Sequence, residues 1–119
     1  MKDFRTLKVW ESAHKVTLDV YQMTNDFHRE EMFGLTSQIR RSAVSISSNI
    51  AEGCGRGSDS DFARFLQIAM GSASELEYQL LLALDLKYID DEKYQRINMQ
   101  IIEVKRMLTA LIKKLRAES

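Results

Sequence analysis

The sequence has no proline, five glycines, one cysteine and one tryptophan, and its 17 lysines and arginines are matched by 17 aspartates and glutamates. Each scarcity excludes something. Missing proline and rare glycine deplete turns and favour a few long helices over a many-stranded fold. A single thiol, Cys54, cannot close an internal disulfide, so a stapled secreted scaffold is excluded and a reducing compartment is the expectation. A net charge of zero lacks the basic excess of a dedicated nucleic-acid binder, although a local basic patch remains open. No apolar run approaches the ~20 residues that span a bilayer. The opening Met1-Lys-Asp-Phe-Arg-Thr-Leu-Lys8 has no apolar signal-peptide core. The expectation from these absences is a soluble, cytoplasmic protein with no membrane association.

What is present is helical periodicity. The 119 residues, 45% apolar and 29% charged, suit one globular domain over 1–119. Four stretches read as helices, at about 6–26, 34–52, 59–86 and 91–116. Val9, Ala13, Val16, Val20, Met23 and Phe27 keep a four-three alternation in the first, beside Trp10, Thr17, Tyr21 and Thr24. Trp10 is expected to be a core anchor. In the second, Ile39, Ala43, Ile46 and Ile50 share a face, and Gly53 is the expected stop. Ser58 is the expected N-cap of the third helix, whose seam is Phe62, Leu66, Ala69, Ala73, Leu76, Leu80 and Ala83. Its end, Leu80 to Leu86, is apolar nearly all round, which calls for either a buried corner of the monomer or a contact with another copy. Asp90 is the expected N-cap of the fourth helix, with Ile97, Ile101, Val104, Leu108, Leu111 and Leu115 as its seam. Four helices with short connections predict an all-α, antiparallel up-down-up-down four-helix bundle.

The second helix carries an unusual second stripe of Gln38, Ser42, Ser45, Asn49 and Glu52. Serine and asparagine compete with the helix backbone for hydrogen bonds, so solvent exposure alone would not select them. The stripe predicts a structural polar network with Arg41, Glu75 and Gln79 as partners across helices or subunits. A ligand or nucleic-acid surface, contacted through Asn49 and Arg41, is the functional alternative.

Catalytic and metal patterns are incomplete. Glu11 and His14 have the Glu-x-x-His spacing of carboxylate di-iron bundles, but the other histidine, His28, follows Asn25 at that spacing. Cys54 stands at a helix end, where the dipole disfavours a thiolate. Gly53-x-Gly-x-Gly57 follows a helix rather than a strand, and it lacks the lysine of a phosphate loop. No cofactor and no catalytic residue is therefore expected, and a metal-dependent bundle enzyme using Glu11 and His14 is the third alternative. Two basic clusters remain as candidate nucleic-acid contacts: Arg40 with Arg41, and Lys105, Arg106, Lys113, Lys114 and Arg116, a stretch without an acid. A ring of subunits would repeat each patch, so weak phosphate contacts could sum.

At the second helix the pattern becomes specific. Gln38-Ile-Arg-Arg-Ser-Ala-x-Ser-Ile-x-x-Asn-Ile-Ala-Glu-Gly53 resembles the signature of the bacterial four-helix bundle proteins encoded in intervening sequences of large-subunit ribosomal RNA genes. Leu7-x-x-Trp10-x-x-Ala13, Tyr21-x-x-Thr24 and Arg64-Phe-Leu-x-Ile-Ala-x-Gly-Ser-Ala-x-Glu-Leu76 resemble neighbouring motifs of that family. The resemblance implies a ring-shaped homopentamer without established enzymatic activity. It also implies similarity to the accessory variability protein of diversity-generating retroelements, which is basic and binds nucleic acid and its reverse transcriptase. Nucleic acid or a nucleic-acid-associated protein is therefore an expected partner. The chain departs from the pattern at His28, where many members have proline, at Lys87, where many have glycine, and in its neutral charge.

Overall fold

A computed structural model describes residues 3–118. Four helices, α1 (Lys8–Thr24), α2 (Leu35–Cys54), α3 (Asp59–Asp85) and α4 (Asp91–Glu118), make up most of it, with short 3-10 turns at Phe4–Thr6 and Arg29–Glu31. Among the described residues there is no strand. Each helix packs on the next and α1 also packs on α4, which makes an all-α bundle of four helices. At ~1.5 Å per residue, α3 and α4 run most of its 46 Å length.

The core follows the apolar periodicity. Val9, Ala13, Val16, Val20 and Met23 of α1 face Ile39, Ala43, Ile46 and Ile50 of α2, and all seven seam residues of α3 are buried. On α4 the buried set is Ile97, Ile101, Val104, Leu108, Ile112 and Leu115, while Leu111 is only half-buried. A straight helix with 3.6 residues per turn drifts from a strict heptad, and the seam takes Ile112 in place of the expected Leu111. Trp10 packs against the core from its margin and is not enclosed by it. It is half-buried at the lower end of α1, edge-on to Phe4 at 4.9 Å and stacked on His14 at 4.8 Å.

Gly53 does not stop α2. The helix passes through it to Cys54, and Gly55 takes the C-cap position with its N–H on the carbonyls of Ala51 and Glu52. Gly53 is buried where α2 and α3 cross, and a Cβ placed there would lie 2.7 Å from Cβ of Phe65. The residue serves close helix approach, which explains a glycine inside a helix. Ser58 Oγ accepts the N–H of Asp61 at 3.1 Å and caps α3, and Asp90 Oδ1 accepts the N–H of Lys93 at 2.8 Å at the start of α4.

The α3–α4 turn is closed by a pair of reversed hydrogen bonds. Tyr88 N–H reaches the Ala83 carbonyl and Lys87 N–H the Leu84 carbonyl, both at 2.9 Å, which is a Schellman arrangement. It places Lys87 at φ 65°, the one non-glycine among the described residues in the left-handed region. That conformation costs an L residue roughly 1–2 kcal/mol. Lys87→Gly is expected to raise stability by about 1 kcal/mol, part of the relief being offset by the freer unfolded chain. Urea denaturation measures it; an unchanged or lower midpoint would contradict a strained turn.

This turn meets the α1–α2 connection. Tyr88 packs on Phe27 and His28, and its hydroxyl donates to Glu31 Oε2 at 2.8 Å. Glu31 Oε1 accepts the N–H of Leu35 at 3.2 Å, so this carboxylate caps α2 in place of Gly34, which has no side chain to do so. A Cβ on Gly34 would stand 2.9 Å from that same oxygen. The Tyr88 hydroxyl, followed by the Leu35 amide, holds the Glu31 carboxyl below its ordinary pKa of 4.5. A depressed carboxyl contributes stability that is present above its unfolded pKa and lost as pH falls through the folded one. Glu31→Gln is therefore expected to be less stable than the native chain near pH 7, with the gap closing as pH falls below the ordinary carboxylate range. A gap that is independent of pH would show that the carboxylate charge plays no part.

Candidate functional site

The polar stripe of α2 lies along its seam with α3. Ser42 is buried there, and Ser45 Oγ is 2.8 Å from Ser72 Oγ of α3. Asn49 Nδ2 donates to the Ser45 carbonyl at 2.8 Å and to Ser45 Oγ at 3.1 Å. Gln38, Arg41, Ser42, Ser45 and Glu75 line an open recess of about 310 Å3 over this seam. Gln79 is 4% exposed, and its Oε1 has no hydrogen-bond partner among the described residues. Glu52 is not brought into the seam network: it is exposed and pairs with Arg56 at 3.0 Å. Sequence reasoning missed Ser72, because nothing in the pattern of α3 separates it from Ser74, which is exposed. A second polar contact, also unforeseen, joins α1 to α2, where the Thr17 hydroxyl lies 3.2 Å from the Ala43 carbonyl and 3.1 Å from Ser47 Oγ.

The basic candidates are dispersed. Arg40 is turned inward: its Nε donates to Thr24 Oγ1 at 2.8 Å, its Nη2 to Asn25 Oδ1 at 3.1 Å, and its guanidinium covers the Tyr21 ring. It ties α2 to the end of α1, a role that only tertiary structure reveals. Arg41 is exposed. Lys105 pairs with Glu77 of α3 at 2.9 Å, and Arg106 Nε donates to Glu103 at 2.9 Å. The hydrogen bond from Arg106, followed by its charge, holds the Glu103 carboxyl below its ordinary pKa. The acid-free stretch of α4 is thus partly neutralised from outside itself. Lys113, Lys114 and Arg116 are exposed near the end of α4, where Lys114 shares a recess with Leu7, Gly57 and Ser58. That end lies beside the α2–α3 connection, and Arg41 stands ~20 Å up α2 from it at the helical rise per residue. The two basic clusters are therefore separate.

A different feature stands out at the α1–α2 corner. Phe33 is 94% exposed, and with Tyr21, Met32 and Val44 it borders a recess of about 470 Å3 that also includes Arg40 and Arg41. No acidic residue lines it. A phenylalanine beside Gly34 in a charged connection reads as ordinary loop, and the sequence held no signal for this surface.

Metal chemistry finds no constellation. His14 is stacked on Trp10, and among the described residues no three His, Cys, Asp or Glu side chains gather as metal ligands. Cys54 is buried at the last position of α2. Among the described residues no helix is long and apolar enough to cross a membrane.

Fold and surface together define a small all-α bundle of four helices with a polar α2–α3 seam. Residues 5–110 match the family model of the 23S rRNA-intervening sequence protein, and the chain belongs to that family. It is also similar to a protein with unknown function from the S23 ribosomal protein family of Bacteroides thetaiotaomicron. That crystal structure is 32% identical, with a TM-score of 0.82 over 88% of this chain and 95% of the other. No curated protein matches the chain in sequence.

Proposed function

We propose that the chain is the protomer of a non-enzymatic scaffold: an antiparallel up-down-up-down bundle that self-associates, as a ring-shaped pentamer, and holds a macromolecular partner in the cytoplasm. The observation that supports this reading is the recess around Phe33, where Tyr21, Met32, Phe33 and Val44 are left in water together. Contiguous exposed apolar surface of this kind marks an interaction site. Light scattering is expected to give a mass five times that of the chain, and a monomer overturns the reading.

The α2–α3 seam contributes to the same reading. Asn49 is half-buried and donates to the carbonyl and to Oγ of Ser45, which itself contacts Ser72. Asn49→Leu frees the Ser45 groups and is expected to lower the melting temperature or change the assembled mass. Each polar group left unpaired costs ~1–3 kcal/mol. Unchanged melting and mass would remove Asn49 from the network.

A second reading, weak salt-dependent nucleic-acid binding, is supported by the exposure of Arg41, Lys113, Lys114 and Arg116. The family takes its name from an intervening sequence of 23S rRNA, so structured RNA is the probe. Affinity is expected to fall steeply with salt and to vanish when Lys113, Lys114 and Arg116 are all replaced by glutamate. Affinity indifferent to both would refute it.

A further inference from the structure

We propose that copies of this chain join head to tail, the apolar and basic recess at the α1–α2 corner of one copy receiving the acidic α3–α4 turn of the next. The proposal rests on the self-association argued above and names the two surfaces that meet.

Complementarity carries it. The recess offers Phe33 and Met32 as apolar anchors, with Arg40 and Arg41 beside them and no acid in its lining. Arg40 is fixed by Thr24 and Asn25, which are neutral, so its charge is held in place and not cancelled. The chain carries a matching surface of opposite sign. Asp85, Asp90, Asp91 and Glu92 are exposed around the α3–α4 turn, with Lys87 the only cation between Asp85 and Glu92. Leu86 is 48% exposed in their midst and supplies an apolar contact. A net charge of zero thus conceals two segregated patches, which attract between copies while whole-chain repulsion is absent.

Placement agrees. Both surfaces lie at one end of the bundle, because Tyr88 of the turn bonds Glu31 of the α1–α2 connection. Copies standing side by side in the same orientation therefore present recess and turn at one height. The two surfaces belong to different helix pairs, so each contact leaves one recess and one turn unused. Such a heterologous contact propagates until rotation closes a ring. The same end of the molecule would then be a collar of contacts, leaving the α4 terminus with Lys113 and Lys114 at the other end.

Two variants and their mixture test it. Phe33→Ser with Arg41→Ser disables the recess; Asp85→Lys with Glu92→Lys disables the turn. All four residues are exposed, and melting temperature checks that each variant is folded. Light scattering is expected to show an oligomer for the native chain, a monomer for each variant, and a dimer for the equimolar mixture, since one intact recess then meets one intact turn and cannot extend. If a variant fails to melt cooperatively, Met32→Ser replaces the first and Leu86→Ser the second, with the same expectations. A native monomer overturns self-association itself. A variant that keeps the native mass, or a mixture that stays monomeric, overturns this pairing of surfaces while leaving self-association standing.

Discussion

Gly53→Val is expected to cost the fold about 3 kcal/mol, the upper part of the range for overpacking a tight helix contact. A first carbon added at this position would already be 2.7 Å from Cβ of Phe65 and 3.0 Å from Cδ1 of Phe62. Neither neighbour can yield cheaply, because Phe62 and Phe65 are both buried and a Cβ moves only with its backbone. Valine adds two further methyl groups to the same space, so α2 and α3 must separate near their connection. At roughly 4 °C per kcal/mol for a domain of this size, the melting temperature should fall by about 12 °C. Gly57→Ala is the control. Its Cβ would meet nothing within 4 Å, and its φ is not in the left-handed region, so the change should be neutral or slightly stabilising. Equal melting of the two variants would mean that the α2–α3 contact does not depend on the missing side chain.

Gly53 also shows where the sequence is legible and where it is not. Periodicity locates the buried faces, because a residue that recurs every three or four positions can only point inward together with its neighbours. The α3 seam from Phe62 to Ala83 is buried throughout for that reason. Glycine has no such signature: the same residue that ends one helix permits close packing inside another, and only the position of Phe65 decides between them. Lys87 presents the reverse case, a left-handed residue with no glycine to announce it. Side-chain partners far apart in the chain are equally silent. Nothing near Arg40 in sequence foretells Thr24 and Asn25, and nothing near Glu31 foretells Tyr88. Of the candidate residues, the serines of α2 reach a seam, whereas Glu52 and Arg106 pair locally at i,i+4 and i,i+3, spacings that the sequence does offer, and Lys105 pairs with Glu77 of another helix, which no spacing reveals. The surface around Phe33 was hidden for a simpler reason. An exposed aromatic is recognised only by the absence of anything packed on it, which no local pattern encodes.

The end of α4 gives the second large effect, and it separates heptad reasoning from real helix geometry. Ile112→Ala is expected to cost about 3 kcal/mol, and Leu111→Ala less than about 1 kcal/mol. Strict alternation from Ile97 would assign the larger loss to Leu111. The structure buries Ile112 to 4% exposure beside Leu108 and Leu115, and leaves Leu111 half-buried at the margin. Truncating Ile112 leaves a cavity among buried neighbours that can collapse only in part, so the lost transfer energy and the cavity cost add. Truncating Leu111 opens onto the recess it shares with Leu7 and Lys114, where water and flexible side chains fill the space. Chemical denaturation of both variants against the native chain measures the difference. If Leu111→Ala proves the more damaging, α4 is wound closer to 3.5 residues per turn at its end than its buried residues indicate. Supercoiling of that kind would carry Lys113 and Lys114 around the helix with it, and the basic surface at that end would face elsewhere.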